Sequence, residues 1–184
     1  KEYRRQRQMC IRDRYSIDLL RENNITEIII NSHYLHEKIS EFITKKYPNI
    51  SLSYEKNILD TGGGILNAMN FFEQENFYVL NSDTIWTRSY SDDLLKLKEV
   101  FKNGNNKAAL LLAHKKNSFD KNLSGDFSLD KNNFLNKSSN DYIYTGCQLL
   151  NPNIFNLKKE GDIFSMNEIW NDLIAQESLN GCLS

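Results

Sequence analysis

Apolar residues along this chain fall into two rhythms, and the switches between them predict its elements. Residues 15–23 read as the end of a helix, and residues 27–31 (EIIIN) as a short buried strand. Over residues 34–46, Leu35, Ile39, Phe42 and Ile43 recur at helical spacing until Pro48 stops the run. Residues 50–54 (ISLSY) alternate as a strand, and a run of glycines then precedes a helix over 65–72. Residues 77–80 (FYVL) form another strand, residues 92–102 a helix, and residues 108–113 (AALLLA) an unbroken apolar strand of the kind covered on both faces. Strands alternating with helices imply crossover units and a mainly parallel sheet.

After residue 113 the rhythm changes. DFSLD at 126–130, a DKNN turn and Phe134-Leu135 predict a hairpin. Residues 142–150 (YIYTGCQLL) predict a long strand, and Asn151-Pro152 a helix start with Pro at its first position. Ser165 and Glu168 have the spacing of a capping box ahead of Met166, Ile169, Trp170, Leu173 and Ile174. No closing element is predicted between there and Ser184.

The first fourteen residues, KEYRRQRQMCIRDR, do not share these rhythms. They are densely basic, and their sequence looks like translated adapter or vector material. A basic arm for nucleic acid or lipid head groups is the alternative reading. We therefore expect a non-native segment over 1–14 and one partial domain over 15–184.

Composition narrows the partners. The chain has 184 residues, with 23 basic and 24 acidic side chains and a formal charge of -1. That balance offers no broad field for nucleic acid or an anionic membrane, though local groups suffice for a small anion. No apolar stretch reaches the roughly 18 residues of a membrane span. Cys10, Cys147 and Cys182 are odd in number and lack metal-type spacing, which points to a reducing, cytoplasmic setting.

The candidate chemistry lies at strand ends. In LNSDT an apolar strand runs into a polar cluster that carries Asp83. Open α/β sheets bind ligands outside the carboxyl ends of their strands. A carboxylate there can hold one position on Mg²⁺, with phosphate oxygens and water as the remaining ligands. A solvated turn residue or helix cap would look the same. Thr61-Gly62-Gly63-Gly64 offers a surface free of side chains and first-turn N–H donors for a nucleotide, or else a tight strand-to-helix connection. Gly125 precedes the hairpin, and Gly146 interrupts a strong strand, which marks a bulge or a close approach. His33 and His36 lack a third ligand and match no zinc pattern, and Asn31-Ser32 reads as a strand end that caps the next helix.

The blocks ILDTGGGILNAM, FYVLNSDTIW, SGDFSLD and YTGCQLLNPNIF, in that order, resemble the sugar-1-phosphate nucleotidyltransferases. The likeness is to the subgroup of N-acetylmuramate-1-phosphate uridylyltransferase and mannose-1-phosphate guanylyltransferase-like proteins. The resemblance implies a Rossmann-like, mostly parallel sheet flanked by helices, with a small β region over the sugar site. It implies a nucleoside triphosphate and a sugar 1-phosphate as substrates, with Mg²⁺ as cofactor and no nucleic-acid or membrane partner. By the same resemblance Asp83 is the metal-binding aspartate, Glu55, Thr61, Gly62 and Gly63 lie against the nucleotide, and Gly125 and Gly146 face the sugar.

Three departures accompany it: Ser82 stands where the family usually has Gly, no glycine-rich GxGxR opening is present, and the late second metal carboxylate is missing. The expectation is thus a family member truncated at both ends, with little turnover as written. A non-catalytic sugar-nucleotide-binding regulatory subunit of the same fold is the alternative. A glycosyltransferase with a DxD motif is a further one, for which Asn81-Ser82-Asp83 supplies only the last carboxylate.

Overall fold

The structure, a computed structural model, describes residues 2–72, 75–103, 106–120 and 122–184, with side chains of the first helix described from Ile11 onward. Helix α1 (Glu2–Glu22) is followed by β1 (Ile29–Ser32), α2 (His36–Lys46), β2 (Ser51–Tyr54), α3 (Asp60–Ala68) and β3 (Phe77–Leu80). Then come α4 (Ser91–Lys102), β4 (Ala108–His114), the short β5 (Ser128–Leu129) and β6 (Leu135–Asn136), β7 (Tyr142–Leu150), α5 (Met166–Ala175) and β8 (Leu179–Leu183).

A four-stranded sheet in the order β3-β7-β4-β8 forms the centre, and β1 and β2 make a separate parallel pair. The fold is mixed α/β as expected, but its sheet is only partly parallel. Strand β7 runs antiparallel to both β3 and β4, while β4 and β8 are parallel. The alternation of strands with helices implied a mainly parallel sheet, yet an apolar run such as YIYTGCQLL carries no information about direction.

Strand β8 was not predicted. Its LNGCL sequence has weak strand propensity, with Asn and Gly in the middle, but tertiary packing decides here. A Cβ at Gly181 would come within 2.7 Å of Leu112 and Leu135 and 2.9 Å of Leu129, so glycine lets the hairpin and β4 close over this strand.

The central sheet is covered on both faces. Leu110 and Leu112 turn one way, towards Ile65 of α3 and Met166, Ile169, Trp170 and Leu173 of α5. Leu111 turns the other way with Cys147 and Leu149, against Leu94, Leu97 and Phe101 of α4. Leu110, Leu111 and Leu112 are all fully buried, each worth roughly 1.5–3 kcal/mol of transfer free energy. A third cluster joins Ile39 and Ile43 of α2 with Ile28 and Ile50.

Helix α1 ties the two sheets together. Ile17 enters the β1–β2 cluster, and Leu19, two residues on, enters the α4 face of the central sheet. The helix also extends back through the basic segment to Glu2, where no periodicity was read. Arg, Gln and Met are good helix formers and no Gly or Pro interrupts them, so a helix can propagate there without an apolar stripe.

Several local predictions meet different chemistry in the fold. The glycine run is not a loop before a helix: α3 begins at Asp60, which has φ 62°, and Gly62, Gly63 and Gly64 are its buried first turns. Ser165 caps α5 by accepting from the Asn167 N–H at 3.2 Å, but Glu168 pairs with Lys158 at 2.8 Å. Asn151 and Pro152 start a 3₁₀ turn rather than an α-helix. Ser32 lies within β1 and bonds the His36 ring at 2.7 Å, leaving α2 without a side-chain cap. The DKNN hairpin forms as predicted: Asp130 Oδ1 accepts from the N–H groups of Asn132 and Phe134, both at 2.8 Å.

Candidate functional site

Strand β3 delivers its last residues to a cleft of about 1280 Å³ between the two sheets. One wall is residues 24–31, including β1. The opposite wall is residues 75–83, including β3. Tyr144 and Gln148 of β7, Trp170 of α5 and Thr61 of α3 also line the cleft.

The turn that carries Asp83 is pinned to β7 at two points and braced once from within. The Asn81 N–H donates to the Gly146 carbonyl at 2.8 Å, and the Thr84 hydroxyl donates to the Thr145 carbonyl at 3.1 Å. Fully buried Trp86 donates its indole N–H to the Asn81 carbonyl at 2.9 Å. The backbone is thus fixed while the Asp83 side chain stands exposed beside the cleft. Arg12 of α1 reaches the Asp83 main-chain carbonyl at 3.3 Å, and Asp13 lies on the cleft wall. Burial raises the Asp13 carboxyl to about 6, against a smaller opposing pull from Arg12.

Gly146 has φ +95° and sits at a register break, where two residues of β4 (Leu110 to Leu112) span four of β7 (Gln148 to Tyr144). This bulge bends β7 and aims its flanking side chains. A Cβ at Gly146 would meet the Asn81 side chain at 2.9 Å, so glycine lets β7 approach the Asp83 turn closely. Tyr144, two residues before it, has its N–H held by the Asp126 carboxylate at 2.9 Å. Its ring packs edge-on to Trp170 at 4.9 Å and 69°. Trp170 is in turn fixed by donating to Gln148 Oε1 at 3.1 Å. The Tyr144 hydroxyl oxygen is out of solvent and has no partner among the described residues. Desolvation first, then the neighbouring Cys147 and Asp83, push this phenol well above its usual range.

The glycine turn is built differently. Both Gly62 and Gly63 donate their N–H groups to the Phe164 carbonyl, at 2.9 and 3.2 Å. Side chains there would overlap the Phe164 ring and the Asp162 carbonyl, and one at Gly64 would come 2.6 Å from Glu55 Oε1. Glu55 accepts from the Leu59 N–H at 3.3 Å, so its carboxylate buttresses the turn. Of the glycine block, Thr61 is the residue on the cleft wall, and its hydroxyl accepts from the Met166 N–H at 3.0 Å. Gly125 is packed against the carbonyls of Asn140 and Tyr142, where a side chain would clash.

The fold therefore brings Asp83 and Thr61 to one cleft, with Gly146 packed against Asn81 of the Asp83 turn. Glu55, Gly62 and Gly63 lie behind its α3 wall, and Gly125 supports β7. Tyr144, Gln148 and Trp170 were not singled out from the sequence. The signal available was alternation: along YIYTGCQLL, residues 142, 144 and 148 share a face, and a buried Tyr or Gln needs a partner. His33 bonds the Glu55 carbonyl at 2.7 Å. Among the described residues no three His, Cys, Asp or Glu side chains converge as a metal cluster, so Asp83 can supply one carboxylate and no more.

A mixed sheet with an acidic turn after β3, closed by a hairpin and a helix, is the architecture of nucleotide-diphospho-sugar transferases. Comparison with solved structures bears this out. HddC from Yersinia pseudotuberculosis complexed with GMP-PN matches with a TM-score of 0.67 at 20% identity, covering 92% of this chain and 75% of that one. The inositol-1-phosphate CTP transferase from T. maritima matches with a TM-score of 0.72 at 13% identity, covering 92% and 71%.

In sequence, the chain is 30% identical over 169 residues to the D-glycero-alpha-D-manno-heptose 1-phosphate guanylyltransferase of Campylobacter jejuni. It is 31% identical over 84 residues to the protein of the same name from Aneurinibacillus thermoaerophilus. The match takes in 90% of this chain and 66% of the first relative, and 45% and 34% for the second. No protein-family model matches. The chain belongs to the sugar-1-phosphate nucleotidyltransferases.

Proposed function

We propose that the protein transfers a nucleoside monophosphate from a nucleoside triphosphate to a sugar 1-phosphate, yielding a nucleotide sugar and pyrophosphate. A phosphate oxygen of the sugar 1-phosphate forms the new bond to the α-phosphorus. The bond from that phosphorus to the bridging oxygen breaks, and its electron pair leaves with pyrophosphate. The observation that carries this reading is the Asp83 turn: a carboxylate open to a large cleft on a backbone fixed at two points to β7 and braced by the Trp86 indole. Preorganised groups of this kind act without reorganising during the reaction.

Mg²⁺ fits a donor set of one carboxylate, since it takes its remaining ligands from phosphates and water. When bound it would offset charge on the reacting phosphates. Asp83 would hold it. The nucleotide is assigned to the α3 wall, where Thr61 faces the cleft and Glu55, Gly62 and Gly63 hold the turn from behind. Gly62 and Gly63 would act by positioning Thr61, because their N–H groups are already spent on Phe164. The sugar is assigned to the β7 wall, around Gly146 and the strand end that Gly125 supports. The shared name of the two curated relatives supports guanosine as the base and a manno-heptose 1-phosphate as acceptor. Buried free thiols at Cys147 and Cys182 suit a reducing cytoplasm, and among the described residues no helix is long and apolar enough to cross a membrane.

A panel assay of pyrophosphate release, with each triphosphate against several sugar 1-phosphates and Mg²⁺, tests the proposal. GTP with the heptose 1-phosphate should give the highest rate. Nucleotide binding without release from any pair would favour a regulatory subunit instead.

A further inference from the structure

We infer that Asn31 reads the nucleoside: its side-chain oxygen accepts a hydrogen bond from a base N–H or a ribose hydroxyl of the guanosine. The inference rests on the reading proposed above and adds to it a residue that it does not use.

Asn31 stands near the carboxyl end of β1 and lines the cleft on the wall that faces β3. Its side chain crosses to α3, where Nδ2 donates to the Gly64 carbonyl at 2.6 Å. Only the nitrogen of a carboxamide can donate to a carbonyl, so this contact fixes which end of the side chain is which. Glycine at position 64 makes room for the crossing, since a Cβ there would come 3.2 Å from Asn31 Nδ2. The next residue, Ser32, is buried and bonded to the His36 ring. Alternation along the strand thus turns Ser32 inward and Asn31 out to the cleft. Asn31 is exposed, and its Oδ1 has no partner among the described residues. The carboxamide is held at its nitrogen and open at its oxygen. An acceptor fixed in this way loses little freedom when a ligand arrives.

The ligand group follows from what that oxygen can bond. A carboxamide oxygen has lone pairs and no proton. Ionised phosphates are acceptors too, so neither the triphosphate nor the sugar phosphate satisfies it through its phosphoryl oxygens. A nucleoside does, because guanine carries N–H donors and ribose carries hydroxyls. The placement agrees. Asp83 draws the metal and the phosphates to the β3 wall, and the sugar is assigned to β7. Asn31 lies on the remaining wall, tied directly to the helix assigned to the nucleotide.

The test is a cycle between protein and ligand, which separates a contact from a structural strut. Wild type and Asn31→Ala are titrated calorimetrically, with Mg²⁺, against GTP and four analogues. Inosine triphosphate lacks the 2-amino group, 2-aminopurine riboside triphosphate lacks N1–H, and 2′-deoxy-GTP and 3′-deoxy-GTP each lack one ribose hydroxyl. In the wild type, at least one analogue should bind roughly tenfold more weakly than GTP. Asn31→Ala should bind that analogue and GTP within twofold of each other, and the analogue concerned tells base from ribose. Losses of the same factor in both proteins, for every analogue, would overturn the inference and leave Asn31 a strut of α3. Unchanged GTP affinity in Asn31→Ala would overturn it as well. So would a wild type that binds all four analogues as tightly as GTP, a result that needs no folded variant. A wild-type protein that binds no GTP would instead overturn the guanosine assignment above, and this inference with it.

Discussion

The two walls of the cleft use glycine and polar groups in opposite ways. On the α3 wall, three glycines in a row are consumed by packing: their missing side chains make room for Phe164, Asp162 and Glu55. Two of their N–H groups are consumed as well, by one carbonyl. On the β7 wall a single glycine lets the strand bulge against the Asp83 turn. There the Tyr144 hydroxyl is left without a partner among the described residues, and the Asp83 carboxylate of the adjoining turn stands exposed. The difference teaches that a glycine cluster marks a place where backbones meet closely. The chemistry is better sought where fixed backbone carries polar groups that the protein itself does not satisfy.

That contrast can be broken by substitution. The largest effect is expected on the closed wall. Gly63→Ala gains about 1 kcal/mol of helix propensity, but its methyl would run into the Asp162 carbonyl. We expect a net loss of about 2 kcal/mol, a fall in Tm on the order of 4–8 °C for a chain of this size. An unchanged Tm in thermal unfolding would mean that the turn is open after all. Gly146→Ala should cost about 1–2 kcal/mol, from a positive φ and from crowding by Asn81. Chemical denaturation would measure it.

A smaller effect is expected at Asp13. Its folded-state pKa of about 6 lies above the ordinary carboxyl value of 3.8. The folded protein therefore holds the proton more tightly, and stability declines as pH rises from about 4 to about 6. Asp13→Asn should remove that decline and stabilise the protein by about 1 kcal/mol at pH 7 once solvent screening is allowed for. It should change little at pH 3. Unfolding followed across that pH range would check both ends, and an unaltered slope would place Asp13 in water.

Much of the architecture was legible. Helix α2, strands β3 and β4, the β5–β6 hairpin and the start of α5 follow from spacing and turn chemistry that act locally. What was not legible depends on partners distant in sequence. Strand β8 exists because β4 and the hairpin bury it, against its own propensity. The direction of β7 is set by the strands beside it, not by its composition. Among the candidate residues, Asp83 was visible because a carboxylate at a strand end has a local signature. Glycines 62 and 63 were visible too, but the Phe164 carbonyl that takes their N–H groups lies about a hundred residues away. Tyr144 was hidden among apolar neighbours, and only the absence of a partner in three dimensions distinguishes it.

The smallest effect on stability, and the most telling result, is expected at Asp83. Its carboxylate is exposed and bonds no described residue, so Asp83→Asn should leave stability within about 0.5 kcal/mol. Calorimetric titration of GTP with and without Mg²⁺ then tests the central claim. Wild-type affinity should rise with Mg²⁺, and Asp83→Asn should abolish most of that rise, a loss of at least tenfold, while Mg²⁺-free affinity stays the same. Equal enhancement by Mg²⁺ in both proteins would show that the metal binds elsewhere and that the site is not organised around Asp83.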